Sequence, residues 1–479
     1  MSTLRFHCLV LVGSLLVSAS NSGAVPEKPA APRDLPKLVT QLCASCHGPN
    51  LEGGSAPSLI DAAWKYGDSD DRIATSIRVG YPLAGMPSFD AALSEKEVQG
   101  MVIYLKELAG KAALRSAPPP RPKADAVNST QLHSYRMETV ATDLKEPWAL
   151  AFLPDGSSIV TEKRGTLRVV VDGVAGPPVT GTPPVDTAGQ AGLFDVVPHP
   201  DFARNGWIYL VLADPQTNAE DRAVSMTAVV RGRIKANAWT DQEVIFRSPL
   251  ATYRNAGGVH FGGRLTFNRD GFLFFSIGER GHQIDAQNLS VPNGKIHRLH
   301  DDGRVPEDNP FVNKPGAMPS IWSYGHRNPQ GLRFDPSSGL LWEHEHGPRG
   351  GDELNLIQRG RNYGWPIASY GINYNGTPLS EITTSPDFEP PATYWIPSIA
   401  PCGLSIYSGS SFPKWRNHLF IASLAGQELR RIEVQNGKIM AQEIIFKGLG
   451  RMRDVTTGPD GLLYVLFPER VDRLVPASP

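Results

Sequence analysis

The sequence predicts a mainly β protein, a six-bladed β-propeller with a small all-α domain at its N-terminus. Three observations support this prediction. A strand–turn–strand pattern recurs six times after residue 137, helical periodicity is concentrated in residues 33–110, and glycine and proline are in excess. The 47 glycines and 42 prolines make up about 19% of the chain, against about 12% in average proteins, which indicates many tight turns.

Residues 1–24 have the layout of a secretory signal peptide. Arg5 precedes an apolar run from Leu9 to Val17, and small residues follow up to Ala24, after which we predict cleavage. The apolar run is too short for a permanent anchor, and no later run reaches about 18 apolar residues. We expect a periplasmic or secreted protein that is not an integral membrane protein, with a retained N-terminal anchor as the alternative.

Residues 33–110 are predicted to form the small helical domain. One short helix is expected from Asp34 to Cys46. Another begins at Ser94, which can cap the helix, and is followed by early acidic residues and apolar residues at helical spacing. Residues 111–136 are rich in proline and alanine and lack a hydrophobic period, so they are predicted to form a stiff linker to a propeller at 137–479.

The most specific motif of the sequence is Cys43-Ala44-Ser45-Cys46-His47. Its spacing offers two thiols to the vinyl groups of a haem and an imidazole to the haem iron, so it predicts one covalently attached haem c. A zinc site is the rival. It would need two further Cys or His ligands nearby, and residues 33–110 offer none outside the motif.

The sixth ligand of the haem iron should come later in the same domain. We predict Met86, because its thioether lies on the turn Gly85-Met86-Pro87. Met101 is the competitor, but it belongs to the apolar face of the last helix, where methionine usually fills the core. The order of helix, haem motif, methionine turn and C-terminal helix resembles class I cytochromes c, which implies His/Met ligation.

The propeller prediction depends on a repeated unit of alternating apolar residues, a turn with Asp, Pro or Gly, and an apolar strand. The six copies begin at Leu150, Val197, Leu265, Leu332, Leu404 and Thr456. Their spacing is uneven, and a jelly roll or sandwich is the alternative. Strand–turn–strand units repeated along a chain of this length nevertheless fit a propeller best.

The charge pattern excludes nucleic-acid binding, and the cysteine content excludes a fold held by disulfides. The formal net charge is −1 and the two signs are mixed along the chain, so the sequence has no basic stripe for nucleic acid. Outside the predicted signal peptide and the haem motif, Cys402 stands alone, so no disulfide framework is available. We expect Cys402 to be a small buried apolar side chain.

Three polar, glycine-rich segments, 257–264, 324–331 and 345–353, are predicted to be loops that carry chemistry. A glycine-flanked histidine can act as a base near neutral pH, and arginines from other loops can hold carboxylates bidentately. Together these groups suit an acidic cofactor and an alcohol substrate. A single loop histidine is more often a surface residue, so the loops alone leave both interpretations open.

Residues 138–475 resemble the soluble pyrroloquinoline-quinone (PQQ)-dependent aldose (glucose) sugar dehydrogenases, which are six-bladed propellers. The most specific match is Gly325-His326-Arg327-Asn328-Pro329-Gln330-Gly331. The further matches, in the order of the family, are Gly189–Leu193, His260 with Gly263–Leu265, Gly347-Pro348 before Asp352–Ile357, Asn362–Pro366 and Arg451–Asp454.

The resemblance implies a catalytic or cofactor-binding role for each of these residues. His260 would be the base that takes a proton from the sugar hydroxyl, with Gln190 and Arg327 beside it. The PQQ carboxylates would be held by Asn328, Arg451 and Arg453.

The resemblance also implies two Ca²⁺ sites. The backbone carbonyls of Gly347 and Pro348 would bind a Ca²⁺ that touches PQQ, and the side chain of Glu353 with the backbone near Tyr363 would form a second, structural site. Hard oxygen ligands on irregular backbone suit calcium, although an acidic loop is more often merely solvated.

The sequence departs from the family at three positions. Ala425 stands where the family usually has a PQQ-binding lysine, and Val259 stands where an acidic residue often precedes the catalytic histidine. Another group must therefore orient His260. Trp395, the aromatic residue expected to face the quinone, is one position early.

These observations predict a quinohaemoprotein that oxidises an aldose or related alcohol or aldehyde and passes the electrons through haem c to an external acceptor, a cytochrome or a quinone-linked chain. One alternative is a cofactor-free propeller that acts as a hydrolase or a binding module. Another is a cytochrome subunit whose propeller only docks onto a larger redox complex.

Overall fold

The structure is a computed structural model that describes residues 33–61, 63–114 and 126–477. The predicted signal peptide and the proline-rich centre of the predicted linker lie outside the described residues. Within the described part of the chain, no helix is long and apolar enough to cross a bilayer.

Three helices form the N-terminal domain: α1 (Leu35–His47), α2 (Asp70–Val79) and α3 (Glu95–Leu114), with a short 3₁₀ turn at Pro82–Ala84. Each α-helix begins at a polar side chain that satisfies free backbone N–H groups. Asp34 Oδ1 accepts from Lys37 N at 3.0 Å, Ser69 Oγ from Arg72 N at 3.3 Å, and Ser94 caps α3 as the sequence predicted.

The last helix is longer than the sequence analysis predicted. It continues to Leu114, beyond residue 110, and the first strand of the next domain begins at Asn128. Alanine and leucine, both strong helix formers, occupy residues 112–114. The predicted stiff linker of 111–136 is therefore helical at its start and contains strands at its end.

The remaining described chain forms six antiparallel sheets around a common axis, which confirms the predicted six-bladed propeller. The strands that precede the first blade are β1 (Asn128–Ser129) and β2 (Ser134–Ala141). Blade one consists of β3 (Pro147–Phe152), β4 (Ser158–Glu162), β5 (Thr166–Val171) and β6 (Val174–Pro178). Blade two consists of β7 (Leu193–Pro198), β8 (Ile208–Thr217), β9 (Ala223–Lys235), β10 (Ala238–Phe246) and β11 (Arg254–Asn255). Blade three consists of β12 (Leu265–Phe267), β13 (Leu273–Ile277), β14 (Lys295–Leu299) and β15 (Ile321–Tyr324).

Blades four to six complete the ring. Blade four consists of β16 (Pro329–Phe334), β17 (Leu341–Glu345), β18 (Asp352–Ile357) and β19 (Thr393–Trp395). Blade five consists of β20 (Pro401–Ile406), β21 (Leu419–Ser423), β22 (Glu428–Gln435) and β23 (Lys438–Lys447). Blade six contains β24 (Asp454–Thr457), β25 (Leu463–Phe467) and β26 (Arg470–Pro476). A four-residue helix, α4 (Phe202–Asn205), lies between β7 and β8. The first strand of each blade packs beside the first strand of the next, from β3 around to β24 and back to β3.

Each repeat found in the sequence corresponds to the first strand and turn of one blade, which is why six copies gave the correct number of blades. The ring is closed by the N-terminal strand β2, which pairs with the C-terminal strand β26. In this pairing Met137 lies opposite Leu474 and Thr139 opposite Asp472. The sixth blade therefore contains chain from both ends of the propeller.

A buried arginine, Arg264, contacts all five other blades from the axis of the ring. It lies directly before β12, and its side chain is 2% exposed. Its contacts are the Trp148 ring at 4.0 Å, Asp195 Oδ1 at 3.5 Å, the Gln330 carbonyl oxygen at 2.8 Å, Cys402 Sγ at 3.9 Å and Asp454 Oδ1 at 3.2 Å. Cys402 is fully buried, as predicted.

We expect Arg264→Met to lower the free energy of unfolding of the propeller by about 3–5 kcal/mol, because it leaves Asp195 and Asp454 buried without a cation. Chemical unfolding followed by tryptophan fluorescence measures this change. Arg164→Met is the control, since Arg164 is 74% exposed in its ion pair with Glu146, and its loss should cost about 1 kcal/mol or less. Equal effects of the two substitutions would contradict the role given to Arg264.

Candidate functional site

His260 lies in the glycine-rich segment before β12, in a conformation that holds its ring in one place. Its backbone has φ 56°, an uncommon value for a residue with a side chain. The His260 N–H donates to Gln190 Oε1 at 2.8 Å, and its carbonyl oxygen accepts from Arg280 N at 3.2 Å. A Cβ on Gly278 would lie 2.2 Å from that carbonyl oxygen, so only glycine allows the close approach.

Glu279 is the group that orients the His260 ring. Its Oε1 bonds His260 Nδ1, and the Glu279 side chain is only 1% exposed. Burial lowers the pKa of His260, and the charge of Arg327 lowers it too, while the hydrogen bond to Glu279 works in the opposite direction. His260 is therefore neutral near pH 7, and with Nδ1 bonded to Glu279 its Nε2 is free to accept a proton.

Arg327 and Asn328 are placed beside His260 by a second buried carboxylate, Glu345. Glu345 Oε2 accepts the backbone N–H of Arg327 and, at 3.2 Å, that of Asn328. Asn328 Oδ1 in turn accepts the N–H of Gly262 at 3.1 Å. The most specific predicted motif is thus joined directly to the histidine loop.

The Arg327 guanidinium reaches the third predicted segment. Its Nη1 donates to the carbonyl oxygen atoms of His346 at 3.0 Å and Gly347 at 2.6 Å, and its Nη2 lies 3.4 Å from Tyr374 Oη. Gly347 N donates to Asp352 Oδ1 at 2.9 Å, and burial raises the pKa of Asp352 to about 6. The Gly347 carbonyl therefore lies beside Arg327, and the Pro348 carbonyl accepts from Ser398 Oγ at 3.5 Å.

Arg451 and Arg453 precede β24 and lie close enough to repel each other. Burial and the charge of Arg453 lower the pKa of Arg451. Among the described residues, neither of them nor Arg327 forms an ion pair with a carboxylate. Arg453 Nη1 lies 3.4 Å from Cys402 Sγ, and the guanidinium lies over the Trp148 ring, 5.9 Å from its centre. Arg327 acts on His260, and the charges of Arg327 and Arg453 both lower the pKa of His346, so the two segments lie near each other. Arginines without a described carboxylate partner can bind an anion with several negative groups.

Glu353 belongs to a group of buried acids beside this site. Asn355 Nδ2 donates to Glu343 Oε2 at 3.0 Å and lies 3.4 Å from Glu345 Oε1 and 3.5 Å from Glu353 Oε2. Burial and the charge of Glu345 raise the pKa of Glu353 well above its ordinary value. Glu353 and Tyr363 line one small cavity, and no described cation pairs with Glu353.

The haem motif lies on the last turn and a half of α1. Cys43, Cys46 and His47 are spaced i, i+3 and i+4, so they share one face of the helix, and the two thiols are not joined by a disulfide. His47 Nδ1 bonds the carbonyl oxygen of Pro57 at 2.6 Å, which leaves Nε2 for an iron ligand. The side chains present therefore fit a haem c.

The two candidate methionines differ in their surroundings. Met86 is half-buried on a tight turn, where its N–H donates to Tyr81 O at 3.1 Å and its carbonyl accepts from Tyr81 N at 2.9 Å. Met101 is 2% exposed in the core between the helices. The packing of Met101 agrees with its interpretation as core filler, and Met86 remains the predicted axial ligand.

Sequence motifs predict the segments but not the residues that orient them. Glu279 and Glu345 had no motif of their own, and the three segments predicted as loops in fact include strand ends, such as Glu345 in β17 and Asp352 in β18. Trp395, considered as a residue facing the cofactor, is buried in β19 and donates to Gln442 Oε1 at 3.2 Å. Its place is in the core between blades four and five.

Comparisons with known proteins agree with both parts of the chain. Residues 144–475 match the Glucose / Sorbosone dehydrogenase family, and residues 30–105 match the family of cbb3-type cytochrome c oxidase subunit III. The chain is 42% identical over 355 residues to the aldose sugar dehydrogenase of Escherichia coli strain K12, which covers 72% of this chain and 93% of that protein.

Two solved structures are similar to the propeller. The apo form of the soluble aldose sugar dehydrogenase from Escherichia coli has a TM-score of 0.67 at 40% identity, covering 72% of this chain and all of that one. The PQQ-bound form of an aldose sugar dehydrogenase from Streptomyces coelicolor has a TM-score of 0.58 at 27% identity, covering 74% of this chain and 99% of that one.

We expect Glu279→Gln to lower the pKa of His260 further, because it removes the negative charge that favours the imidazolium. NMR titration of the histidine ring protons measures this pKa, with the His260 resonance assigned by its loss in His260→Ala. Glu307→Gln, at an exposed position that follows β14 at the end of blade three opposite His260, is the control and should leave the pKa unchanged. An increase of the His260 pKa in Glu279→Gln would contradict the assignment of Glu279.

Proposed function

Because the chain belongs to the glucose/sorbosone dehydrogenase family and carries a cytochrome c domain at its N-terminus, we propose that it is a PQQ-dependent aldose dehydrogenase that delivers electrons to its own haem c. One observation carries the proposal most directly. The buried His260–Glu279 pair lies beside Arg327, and Arg327, Arg451 and Arg453 have no carboxylate partner among the described residues. This arrangement supplies a base and an anion site side by side.

PQQ fits the charge of this site. It is a tricarboxylic quinone, and arginine guanidinium groups hold carboxylates in a bidentate manner. Arg451, Arg453 and Asn328 would hold the cofactor, which would relieve the repulsion that lowers the pKa of Arg451. Ala425 supplies no cationic contact, so these three groups would hold the carboxylates without the lysine that the family usually has. When bound, PQQ supplies an acceptor for the hydride that leaves the sugar carbon.

The residues of the chain supply the proton chemistry. His260 Nε2 accepts the proton of the sugar hydroxyl, and Glu279 stabilises the imidazolium that results. One O–H bond and one C–H bond of the sugar would break: His260 would take the proton, and the hydride, with both electrons, would need an acceptor such as the quinone. Gln190, through its bond to His260 N, and Arg327, beside the ring, orient base and substrate.

Two calcium sites belong to the proposal. The carbonyl oxygen atoms of Gly347 and Pro348 would bind a Ca²⁺ next to the cofactor, and the Arg327 guanidinium, which here donates to Gly347 O at 2.6 Å, would move away from that oxygen. The cation would withdraw charge from the reacting carbonyl. Glu353 and the backbone of Tyr363 would bind a second Ca²⁺ in the small cavity that they share. Glu353 is half-buried, no described cation pairs with it, and burial and the charge of Glu345 raise its pKa, so a bound cation would stabilise its ionised form.

Two electrons leave each sugar, and a haem iron accepts one at a time, so the cytochrome domain acts as a single-electron relay. His47 and Met86 would hold the iron, and Cys43 and Cys46 the porphyrin. From there the electrons pass to an external acceptor, a cytochrome or a quinone-linked chain. A periplasmic or secreted location follows from the predicted signal peptide.

We expect the haem-loaded protein, given PQQ and Ca²⁺, to show rapid reduction of its haem when an aldose is added, measured by absorption spectroscopy with a panel of aldoses. His260→Ala should slow this reduction by roughly 10²- to 10⁴-fold, because the general base is lost, and leave the haem spectrum intact. His282→Ala, at an exposed histidine, is the matched control. No reduction with any sugar would favour a cofactor-free propeller.

We expect Met86→Ala to lower the reduction potential of the haem, since a thioether ligand raises it. Potentiometric titration of the purified protein measures the change and requires no sugar. Met101→Leu, which conserves volume in the core, is the control and should leave the potential close to its original value. A potential that shifts with Met101→Leu and not with Met86→Ala would assign the ligand to Met101 instead.

A further inference from the structure

A buried ion pair joins the cytochrome domain to the propeller. Arg349 Nε donates to Glu107 Oε2 of α3, and the two side chains are only 14% and 21% exposed. The Arg349 guanidinium also lies over the Tyr104 ring, 4.8 Å from its centre. Hydrogen bonds from Lys111 and Arg349 outweigh the effect of burial and lower the pKa of Glu107. Both charges are therefore present at neutral pH.

Apolar packing surrounds this ion pair. Ile372 of the propeller is 3% exposed and belongs to the same hydrophobic cluster as the core of the cytochrome domain. A Cβ on Gly350 would lie 3.1 Å from Ile103, and one on Gly376 would lie 3.2 Å from Leu35. Glycine at both positions lets the propeller backbone approach α1 and α3 closely.

A third contact lies at the edge of this area. Lys96 Nζ donates to the carbonyl oxygen of Ser380 and lies 3.4 Å from a carboxylate oxygen of Glu381. We call the whole area the docking surface: Leu35, Lys96, Ile103, Tyr104 and Glu107 on the cytochrome domain, and Arg349, Gly350, Ile372, Gly376, Ser380 and Glu381 on the propeller.

On the propeller, the docking surface adjoins the candidate active site. Arg349 directly follows the Gly347-Pro348 carbonyls, and its backbone pairs with Ile372 through two hydrogen bonds of 3.0 Å. Tyr374, two residues further, lies within 3.4 Å of the guanidinium of Arg327. The segment that touches the cytochrome domain is thus the segment that borders the predicted cofactor and substrate.

On the cytochrome domain, the same surface adjoins the haem motif. Cys43 is half-buried against the cluster that contains Ile103 and Ile372. The attachment point of the haem and the rim of the active site are therefore connected by one hydrophobic cluster.

We propose that the docking surface holds the cytochrome domain in one fixed position, so that electrons pass from the active site to the haem within one molecule without movement of the domain. Arg349 and Glu107 act as positioning residues. The inference rests on the proposed function, which supplies the electron donor, and it adds the path by which electrons reach the haem. A buried ion pair flanked by apolar contacts favours a single arrangement, because a displaced domain would expose Ile103 and Ile372 and leave charges unpaired.

The first experiment measures electron transfer in the haem-loaded full chain with PQQ, Ca²⁺ and an aldose. Glu107→Arg places two like charges at the docking surface, and we expect it to slow haem reduction by roughly 2- to 30-fold. Sugar oxidation with phenazine methosulfate as direct acceptor should not change. Asp68→Arg makes the same charge change at an exposed site of the cytochrome domain and should leave both rates unchanged.

The second experiment requires no sugar, PQQ or calcium. Carbodiimide treatment of the haem-loaded protein should join Lys96 to Glu381 within one chain, detected by mass spectrometry of peptides. We expect the crosslink in the original protein and in Asp68→Arg, and its loss in Glu107→Arg. Absence of the crosslink from the original protein, or haem reduction in Glu107→Arg at the original rate, overturns the inference. Crosslinking without any sugar-driven haem reduction supports the docked arrangement and refutes the proposed function instead.

Discussion

The buried guanidinium of Arg264 is the interaction on which both the ring and its candidate site depend. It is the point where all six blades meet, and its charge is balanced by carboxylates of blades two and six. In surroundings this dry, a charged contact is strong when complete and costly when broken, so the blades cannot shift independently about the axis. Its other partners, the carbonyl oxygens of Gln330 and Arg453, lie within two residues of Asn328 and Arg451. The packing of the axis therefore sets the positions of the site residues.

The second organising feature is a set of buried carboxylates that work on backbone and imidazole groups. Glu279 fixes His260, and Glu345 fixes the backbone of Arg327 and Asn328. Each carboxylate accepts a hydrogen bond from a residue that is distant in sequence and belongs to a different segment of the chain. Arg327, which has no described carboxylate partner, lies where these fixed elements meet. The buried carboxylates thus hold the framework of the site, and the arginines without a described carboxylate partner are available to bind an anionic ligand.

The difference between what could and could not be predicted from the sequence follows from the range of the interactions. Cys43, Cys46 and His47 are neighbours on one helix, so their spacing alone carries the haem prediction. Six copies of a turn between apolar strands gave the number of blades, because each blade begins with a local hairpin. Glu279 was missed because its role depends on Gly278 letting two chain segments approach, and no local pattern records this contact. Ile372 and Arg349 were missed because their partners belong to another domain.

The closure of the ring by β2 and β26 has a consequence for how the chain is made. The residues that pair, such as Met137 and Leu474, are separated by almost the whole propeller. The hydrogen bonds between β2 and β26 cannot form until β26 has been synthesised. Contacts of such long sequence separation also form slowly. The cytochrome domain precedes β2 and is built from local helical contacts, so it can fold while the propeller is still an open chain. The helices can therefore form before the ring, and the ring closes only once β26 is in place.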